Sequence, residues 1–422
     1  MAVTPWDVKG TIDYAKLIWE FGMQPFHELM ERIPKPHKLM RRGVIFGHRD
    51  YWRIVEAINS NRSWAVMSGF MPSGNPHFGH KMTMDEIIWH QKMGAKTFVA
   101  IADIEAHVVR GMNWSKTLKL GFEYIKSLIA LGLEKDSIIY FQSKNNDVKD
   151  LAIELSNEVN LSELKAIYGF TGETQLAKMF VTAIQASDIL YPQLEKFNGP
   201  KPVVVPVGAD QDPHLRLTRD LASRVNIYSL ENIKGGLRIR SRRGTEYLDK
   251  LDCLGYEMKK FSEHVDIFGD KNEIEEKVRK IEIECGGFGF IPPSSIYHKF
   301  TTGLYGGKMS SSKPESFISL IENPKNASRK VMRAFTGGRA TASEQRRYGG
   351  EPEKCVVFEM YTYHLIENDK ELKEIYENCK SGKILCGQCK KLASELLEEF
   401  LKDHQEKREE AEDNLNEYEI IF

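Results

Sequence analysis

The chain has 422 residues, 41% of them hydrophobic and 28% charged; this balance excludes a protein disordered along its length, and the length predicts two or three domains. Its 59 basic residues nearly balance 60 acidic ones, so any nucleic acid must be bound by local patches rather than by a global positive field. No apolar run is long enough to cross a membrane and the start MAVTPWDVKG lacks a signal-peptide core, so we expect a cytoplasmic protein without a membrane segment.

The first 55 residues are predicted to be mostly helical, because amphipathic runs occupy 12–21 and 28–33. We expect residues 1–55 to form a helical appendage that packs on the next domain. At Trp64 the pattern changes to the apolar run WAVMSGF, the turn sequence MPSGNP and apolar residues at helical spacing as far as Met93. This order predicts a strand, a turn and a helix.

Strands and helices then alternate, with apolar strand sequences in KTFVAIADIEAH, SIIYFQ and PVVVPVGADQD. The alternation predicts an α/β fold with a Rossmann-like, mostly parallel sheet, whose ligand site lies beyond the carboxyl ends of the strands. We assign 56–325 to this catalytic domain, with a connecting segment at about 141–190 and an insertion at about 231–295. Residues 326–422 are predicted to form an all-helical domain.

The first functional motif runs from Pro72 to His80 and reads PSGNPHFGH. His77 and His80 are three residues apart and share one face at the start of a helix, where free backbone N–H groups favour an anion. Gly79 between them leaves room for a nucleotide base to lie against the backbone. Alone, the motif also suits a plain turn followed by an ordinary capped helix.

The second motif lies far downstream, where two glycines precede Lys308, Met309, Ser310, Ser311 and Ser312. Such a loop can close over a triphosphate, with lysine as a point charge and the serines as hydrogen-bond donors. By itself the run is equally typical of a linker. Following a strand, turn and helix with the H-x-G-H pattern, it specifically indicates a nucleotide site.

Standing here as HFGH and KMSSS, the two motifs resemble the HIGH and KMSKS signatures of class I aminoacyl-tRNA synthetases. Nearly the whole chain is similar to the tryptophanyl-tRNA synthetases of archaeal and eukaryotic type, through the segments TPWDVKGTIDYAKLIWEFG, RRGVIFGHRD, GFTGETQLAKMFVTAIQASD, GADQDPHLRLTRD and FTGGRATASEQRRYGGEP. The resemblance implies a homodimer that activates L-tryptophan with ATP, charges tRNA(Trp) and releases AMP and diphosphate. It also implies that 326–422 binds the anticodon, and it implies no DNA partner.

The resemblance implies particular roles as well. His77 and His80 are expected to contact the ATP phosphates, and Lys308 to hold the leaving pyrophosphate. Mg²⁺ is expected to accompany ATP, although no sequence feature marks a dedicated magnesium cage. The remaining residues expected at ATP share these two motifs: Pro72, Ser73, Gly79, Met309, Ser310, Ser311 and Ser312.

Recognition of an indole needs a buried acceptor, because the ring offers one N–H donor and no acceptor. Polar residues expected at strand ends that face the site are the candidates: Glu105, Gln185, Asp188 and Gln211. The sequence QASDIL is similar to bacterial tryptophan enzymes, in which the aspartate matching Asp188 accepts the indole N–H. We therefore expect Asp188 at the indole, with Gln211 nearby and with Glu105 and Gln185 toward the ammonium group.

Two positions depart from the eukaryotic pattern of the family. Eukaryotic enzymes carry a tyrosine where Met67 stands and a glutamine where Ala100 stands, and both are missing here. We place Met67 in the tryptophan pocket. Because ADIEAH is also similar to tyrosyl enzymes, tyrosine is the alternative substrate, although a phenol would need two polar partners rather than one.

Four of the six cysteines have the spacing C-x23-C-x6-C-x2-C: Cys355, Cys379, Cys386 and Cys389. Four thiols in a reduced compartment suit Zn²⁺ or an iron–sulfur cluster, and a few tryptophanyl enzymes with a similar pattern hold a [4Fe–4S] cluster. The alternative is four half-buried structural cysteines. We expect Cys253 and Cys285 to be plain, and the basic run at 238–243 to be a solvated hairpin face rather than a phosphate contact.

Two further classes remain open from the sequence. One is a catalytically silent, synthetase-like RNA-binding protein, which KMSSS allows because it lacks the second lysine of the usual motif. The other is a small nucleotidyltransferase with an H-x-G-H motif, which would have no need of the helical region 326–422. The intact histidines and Lys308 argue for the active ligase.

Overall fold

The computed structural model describes residues 13–307, 309 and 314–422, together with the backbone of 2–4 and 7–9. Its strands follow in chain order: β1 (Ala2–Thr4), β2 (Asp7–Lys9), β3 (Gln24–Pro25), β4 (Ile45–Arg49), β5 (Ala65–Phe70), β6 (Lys96–Ile101), β7 (Ile138–Phe141), β8 (Val203–Gly208), β9 (Tyr228–Ile233), β10 (Gly236–Ser241), β11 (Glu257–Lys260), β12 (Val265–Phe268), β13 (Ser294–His298) and β14 (Glu419–Ile421).

The α-helices of the described part, also in chain order, are α1 (Tyr14–Phe21), α2 (Lys38–Arg41), α3 (Trp52–Asn59), α4 (Phe78–Lys92), α5 (Asp103–Arg110), α6 (Trp114–Ala130), α7 (Asn146–Ser156), α8 (Leu161–Tyr168), α9 (Leu176–Leu190), α10 (Asp212–Arg224), α11 (Lys271–Glu284), α12 (Pro324–Arg333), α13 (Ala342–Tyr348), α14 (Val356–Met360), α15 (Asp369–Lys380) and α16 (Cys386–Asp413). The helices after Pro324 bear out the predicted helical C-terminal region.

The main sheet has the strand order β14-β7-β6-β5-β8-β13-β4-β3. Neighbours from β14 to β13 are parallel, whereas β4 and β3 pair antiparallel at the edge. The chain runs outward from β5 through β6 to β7, and then returns to β8 on the other side of β5. This reversal of strand order opens a crevice at the carboxyl ends of β5 and β8.

The central strands are buried on both faces, which explains their nearly continuous apolar sequences. Alternate residues join two different cores. Val66 and Val99 pack with Tyr124 of α6 and with α4, whereas Met67 and Phe98 pack with α7 and α9. The first of these cores continues into the C-terminal helices, so the region after 326 packs directly on the helix that carries the first motif.

Both ends of the chain add strands that the sequence patterns did not predict. The segment expected to be a helical appendage also contains β1 to β4, and β4 is buried beside β13. The predicted all-helical region 326–422 ends in β14, which pairs with β7. Strands β4 and β14 are short and pair with strands far away in sequence, so local periodicity could not reveal them.

The predicted insertion forms a separate unit around an antiparallel sheet of order β11-β12-β10-β9, packed on α11 with its own core. Arg238 in β10 donates two hydrogen bonds to Asp266 in β12, at 2.8 and 2.9 Å. This cross-strand ion pair favours the hairpin-face interpretation of the basic run over a phosphate contact.

Candidate active site

A cavity of about 480 Å³ opens in the crevice at the carboxyl ends of the central strands. Pro72 is buried in the adjoining turn and does not line it. Lys308, Ser310, Ser311 and Ser312 lie outside the described residues. The other predicted ATP and tryptophan residues line this one cavity: Met67, Ser73, His77, Gly79, His80, Glu105, Gln185, Asp188, Gln211 and Met309.

The two histidines of the first motif cap α4 reciprocally. Nδ1 of His77 accepts the backbone N–H of Gly79 at 3.1 Å, and Nδ1 of His80 accepts the backbone N–H of His77 at 3.2 Å. The two rings stack with their centroids 3.8 Å apart. The cap therefore satisfies two N–H groups of the helix terminus and fixes both rings.

The cap also determines the tautomer of each ring. A backbone N–H can only donate, so each Nδ1 must be an acceptor and a neutral ring carries its proton on Nε2. Burial lowers the pKa of His77 to about 4 and lowers the pKa of His80 well below its usual value. At neutral pH both histidines are therefore uncharged Nε2–H donors, as needed to hold phosphate oxygens.

The second motif is brought to the first by pairing of the chain that follows it. The backbone N–H of Phe78 donates to the Ile318 carbonyl at 3.2 Å, and that of Leu320 donates to the Pro76 carbonyl at 2.8 Å. A Cβ on Gly79 would meet Met309 Sδ at 3.5 Å and the His77 ring at 3.0 Å. A side chain at position 79 would therefore crowd the His77 ring, which favours glycine here apart from any room needed for a base.

Asp188 and Gln185 lie within α9 and not at a strand end as predicted, and Asp188 is held in a buried hydrogen-bond network that the sequence did not predict. The hydroxyl of Tyr140 donates to Oδ1 at 3.0 Å and the amide of Gln142 donates to Oδ2 at 2.6 Å. Oε1 of Gln142 accepts in turn the backbone N–H of Glu105 at 3.4 Å. Gln142 also lines the cavity beside Asp188. A carboxylate can accept about four hydrogen bonds, so Asp188 keeps acceptor capacity.

Two carboxyl groups in the cavity titrate near neutrality. Burial raises the pKa of Asp188 to about 7; the bonds from Gln142 and Tyr140 oppose the rise and nearby Glu105 adds to it. Burial likewise raises the pKa of Glu105 to about 7, against the lowering effect of Arg110. Perturbed carboxyl groups of this kind cluster at functional sites.

The remaining residues that are predicted to bind tryptophan form the opposite wall. The Gln185 amide donates to Oε1 of Gln211 at 3.1 Å, which joins α9 to the segment after β8. Met67 is almost fully buried at the base of the cavity, and Ala100 is buried in the adjacent core. The small side chain at 100 and the apolar side chain at 67 leave Asp188 and Gln142 as the polar groups on this side.

Tyr140 and Gln142 are not among the site residues predicted from the sequence. Gln142 directly follows β7, as the segment of Glu105 follows β6. The rule that polar residues after parallel strands face the ligand would have identified Gln142. Nothing in the sequence indicates that Tyr140 reaches Asp188, because this contact depends on how α9 packs across the sheet.

A second, smaller pocket lies among the C-terminal helices, and all four predicted metal ligands line it: Cys355, Cys379, Cys386 and Cys389. The rest of its wall is mostly apolar, including Val357, Phe358 and Ile375. Burial and the neighbouring thiols raise the pKa of Cys379 to about 11 and that of Cys389 to about 12. Without a metal these thiols are therefore neutral at physiological pH.

The surroundings of this cysteine pocket fit a sulfur-ligated group. A Cβ at Gly338 would meet the Cys386 sulfur at 2.5 Å, and one at Gly350 would meet the Cys379 sulfur at 2.8 Å. Gln345 is buried, and its amide nitrogen has no partner among the described residues although it lies 2.7 Å from the same Cβ position of Gly350. Across the described residues, no three His, Cys, Asp or Glu side chains are arranged to hold a metal ion.

Comparison with known proteins identifies the family. The model of the family described as tRNA synthetases class I (W and Y) matches residues 59–252 and 262–402. A tryptophan–tRNA ligase of Archaeoglobus fulgidus is 67% identical over 421 residues and covers 100% of both chains. One of Methanosarcina acetivorans is 54% identical and covers 99% of this chain and 98% of its own.

A solved structure shows the same relation. The chain is similar to the tryptophanyl-tRNA synthetase of Aeropyrum pernix with a TM-score of 0.76 and 42% identity, over 97% of this chain and 96% of that one. The expected family and fold class are thereby confirmed. In the described residues no helix is long and apolar enough to cross a membrane.

Proposed function

The chain belongs to the class I tRNA synthetases for tryptophan and tyrosine, as a tryptophan–tRNA ligase of the archaeal type, and we propose that its cleft activates L-tryptophan with ATP and then charges tRNA(Trp). AMP and diphosphate are the released products. The observation that carries the proposal is the single cavity, in which the capped histidines, Met309 and the buried Asp188 meet. Charging of a tRNA(Trp) transcript with labelled tryptophan tests it, and a purified enzyme that leaves the transcript unlabelled would contradict it.

In the first step, an oxygen of the tryptophan carboxylate forms a bond to the α-phosphorus of ATP. The bond from that phosphorus to the bridging oxygen breaks, and its electron pair leaves with pyrophosphate. Catalysis therefore consists mainly of alignment and charge stabilisation. His77 and His80 would donate through Nε2 to phosphate oxygens, because both Nδ1 atoms are already occupied. In the second step, a terminal ribose hydroxyl of the tRNA displaces AMP.

The remaining charge on the phosphates would be met by Lys308 and by Mg²⁺ that arrives with ATP. Ser73, Gly79, Met309, Ser310, Ser311 and Ser312 complete the proposed nucleotide site, and Pro72, which does not line the cavity, would only shape the turn before them. Mg²⁺ bound with ATP would neutralise phosphate charge and so would add to what His77, His80 and Lys308 supply.

The indole is proposed to lie against Met67, with its N–H donated to Asp188. The network of Tyr140 and Gln142 orients this carboxylate before any ligand binds. Glu105, Gln185 and Gln211 line the same cavity and are proposed to receive the ammonium end. A bound tyrosine would place its phenol hydroxyl beside Asp188, which is proposed to accept a single N–H. We therefore expect tyrosine to be the poorer substrate.

The four cysteines are proposed to hold an iron–sulfur cluster rather than a single Zn²⁺. All four thiols line one pocket, yet no three described ligands are arranged around a single-ion position. A cluster with several metal atoms accepts thiolates that stand farther apart. Bound there, the group would tie the start of α14 to α15 and α16 and so stabilise the C-terminal region.

Metal analysis after anaerobic purification tests this proposal. We expect iron and sulfide together with a brown visible absorption, lost on replacing Cys389 with serine, whereas Cys253→Ser should leave both unchanged because Cys253 is exposed in the insertion. Zinc at one atom per chain would identify the alternative ion. Absence of all these elements, with four freely titrating thiols, would leave structural cysteines.

We further propose that 1–55 is an appendage to the catalytic domain 56–325, and that 326–422 binds the anticodon. The C-terminal region exposes Phe335 and Tyr348, and the guanidinium of Arg347 lies 5.1 Å from the Tyr348 ring centroid. Exposed aromatic rings beside cations suit unstacked RNA bases. Tyr348→Ala should weaken tRNA binding about tenfold without changing tryptophan activation, whereas the control Trp19→Ala should change neither.

A cytoplasmic homodimer is the proposed working form. The connecting segment exposes four apolar side chains on neighbouring helices: Ile153, Leu161, Leu176 and Phe180. Such a patch is typical of an interface. Light scattering should therefore report a dimer that dissociates in the double variant Leu176→Arg, Phe180→Arg. Trp19→Arg is the matched control, because Trp19 is 83% exposed and Leu176 is 82% exposed.

A further inference from the structure

A third histidine stands in the wall of the cavity, at the end of β13. His298 lines the cavity although only 7% of its surface is exposed. His298 belongs to neither of the two sequence motifs. The proposed function gives this side chain no role.

The ring of His298 is fixed from behind by α4. Its Nδ1 lies 3.1 Å from Oε2 of Glu86, and Glu86 is only 1% exposed. The other carboxylate oxygen of Glu86 has no partner among the described residues. A buried carboxyl group without a partner is strongly unfavourable. The bond to His298 is therefore the interaction that compensates for burying Glu86. The arrangement is similar to carboxylate–histidine pairs in which the carboxylate orients the imidazole ring through one nitrogen and leaves the other nitrogen to contact the ligand.

The far side of the ring is the nitrogen Nε2, and it lies at the edge of the cavity. A Cβ on Gly208 would stand 3.8 Å from Nε2 and 2.8 Å from Oδ1 of Asp210. The Phe300 ring would also lie 3.5 Å from that Cβ, so glycine at the end of β8 leaves only a narrow gap beside Nε2 and Oδ1, at the edge of the cavity. Gly208 and Asp210 line the cavity as well.

The division of the cavity indicates what fills that gap. Glu105, Gln142 and Asp188 occupy the side of β6, β7 and α9, where the amino acid is proposed to bind. The phosphates are proposed to lie at the start of α4, above β5. The segment after β8 contributes Gln211 to the amino acid, so the wall that is left for the nucleoside of ATP is formed by the last residues of β8 and β13, Gly208 and His298.

We propose that His298, oriented by Glu86, binds a ribose hydroxyl of ATP through Nε2. A ribose hydroxyl both donates and accepts, so the bond forms with either tautomer of the ring. Glu86 acts as a positioning residue that never touches the nucleotide. The inference rests on the proposed function and assigns these two residues to its nucleoside side.

The variant His298→Asn tests the proposal with little disturbance of the fold. The asparagine amide reproduces Nδ1 as a donor to Glu86 and removes only the atom that faces the gap. In tryptophan-dependent exchange of pyrophosphate into ATP, we expect the KM for ATP to rise about tenfold, as for the loss of one hydrogen bond. The KM for tryptophan should change less than about twofold.

Deoxy analogues of ATP identify the hydroxyl group that His298 binds. Wild type should prefer ATP over 2′-deoxy-ATP or over 3′-deoxy-ATP, and His298→Asn should lose most of that preference. Glu86→Gln should retain it, because the amide oxygen still accepts from Nδ1, whereas Glu86→Ala should lose it. His90→Asn is the control. His90 is a buried histidine of α4, the helix of Glu86, and it bonds Tyr51. This variant should lower the melting temperature and leave the ratio of the KM for ATP to the KM for tryptophan unchanged.

Two results would overturn the assignment. One is an unchanged KM for ATP in His298→Asn with the preference for ATP over both deoxy analogues intact. The other is an equal rise of both KM values, which would indicate general damage to the cavity. Failure of the proposed function itself is distinguishable, because wild type would then show no tryptophan-dependent exchange at all.

Discussion

In the cleft between β5 and β8 the polar side chains already bond one another, whereas in the cysteine pocket the thiols face mostly apolar side chains. His77 and His80 are fixed by backbone N–H groups, and Asp188 is fixed by Tyr140 and Gln142. In the cysteine pocket burial raises the pKa of Cys379 and Cys389, and the amide nitrogen of Gln345 has no partner among the described residues.

This difference separates two kinds of site. A cleft that is organised without its ligand can release products and bind substrates repeatedly at little cost in reorganisation. A pocket with buried thiols and an unsatisfied donor is completed by a group that stays bound, and binding of that group contributes to folding. The C-terminal pocket is therefore expected to affect stability, and the cleft to affect rate.

The largest expected effect is on the rate, at His80. In His80→Asn the side-chain oxygen can still accept the His77 N–H, but the Nε2–H donor is gone. The activation rate should fall by about 10²-fold or more, as for the loss of one preorganised transition-state donor. Stopped-flow or single-turnover formation of the adenylate measures it, with His90→Asn as the control for helix stability. A matched loss of tryptophan affinity with unchanged turnover would place His80 in the amino-acid pocket instead.

The next effect is on tryptophan selection, at Asp188. A charge-assisted hydrogen bond contributes about 1.5–3 kcal/mol, so Asp188→Ala should lower kcat/KM for tryptophan by about 10- to 100-fold. ATP binding should hardly change, because the phosphates are held elsewhere.

An analogue of tryptophan with sulfur in place of the ring N–H sharpens this test. Wild type should discriminate against the analogue and Asp188→Ala should lose most of that discrimination. If the variant still prefers the indole as strongly as wild type does, the acceptor is Gln142, Gln211 or a backbone carbonyl.

A smaller effect is the pH dependence of the same step. With a pKa raised to about 7 by burial, Asp188 is ionised above pH 7 and loses its charge as the pH falls, so kcat/KM for tryptophan should decline below pH 7. Glu105, with a pKa also near 7, contributes a second ionisation. The acid limb should shrink separately in Asp188→Asn and in Glu105→Gln, and a profile unchanged by either variant would contradict these assignments.

The stability of the fold should depend on pH in the opposite direction: the contribution of Asp188 should increase as the pH falls. Because the folded-state pKa of Asp188 lies above its ordinary value of 3.8, its contribution to stability is greatest below about pH 4 and is lost as the pH rises through 7. Asp188→Asn should remove this component. Its melting temperature relative to wild type should therefore be higher at pH 8 than at pH 5, and an equal difference at both values would contradict the shift.

The smallest expected effect on catalysis is at the cysteine pocket. Cys389→Ser should lower the melting temperature of the anaerobically purified protein by several degrees, on the order of what the loss of one stabilising group gives. Tryptophan activation at low temperature should change less than about twofold, because the pocket lies outside the cleft. A rate loss comparable to that of His80→Asn would remove the distinction between the two sites.

Local sequence signals predicted much of this molecule. The strand, turn and helix around His77 follow from an apolar run, a Gly-Pro-rich turn and helical spacing, all within one stretch of chain. The cysteines could be grouped from their spacing alone. The resemblance to a known family then supplied the roles of Lys308 and Asp188, which the residues themselves do not specify.

The contacts of the site that the sequence could not predict are long-range. Glu86 and His298 are 212 residues apart in sequence, and Tyr140 and Asp188 are 48 residues apart. Strand β14 was not predicted because residues 419–421 pair with residues 138–140, far away in sequence. Periodicity describes which face of an element is buried, but it does not say which other element covers that face.

The central claim is that the preorganised cleft activates tryptophan, and exchange of pyrophosphate into ATP with each of the twenty amino acids tests it most directly. We expect exchange that depends on tryptophan, with tyrosine poorer by about 10²-fold or more, because the wrong ring leaves buried polar groups unpaired. Equal exchange with tyrosine, or exchange with neither, would contradict the account.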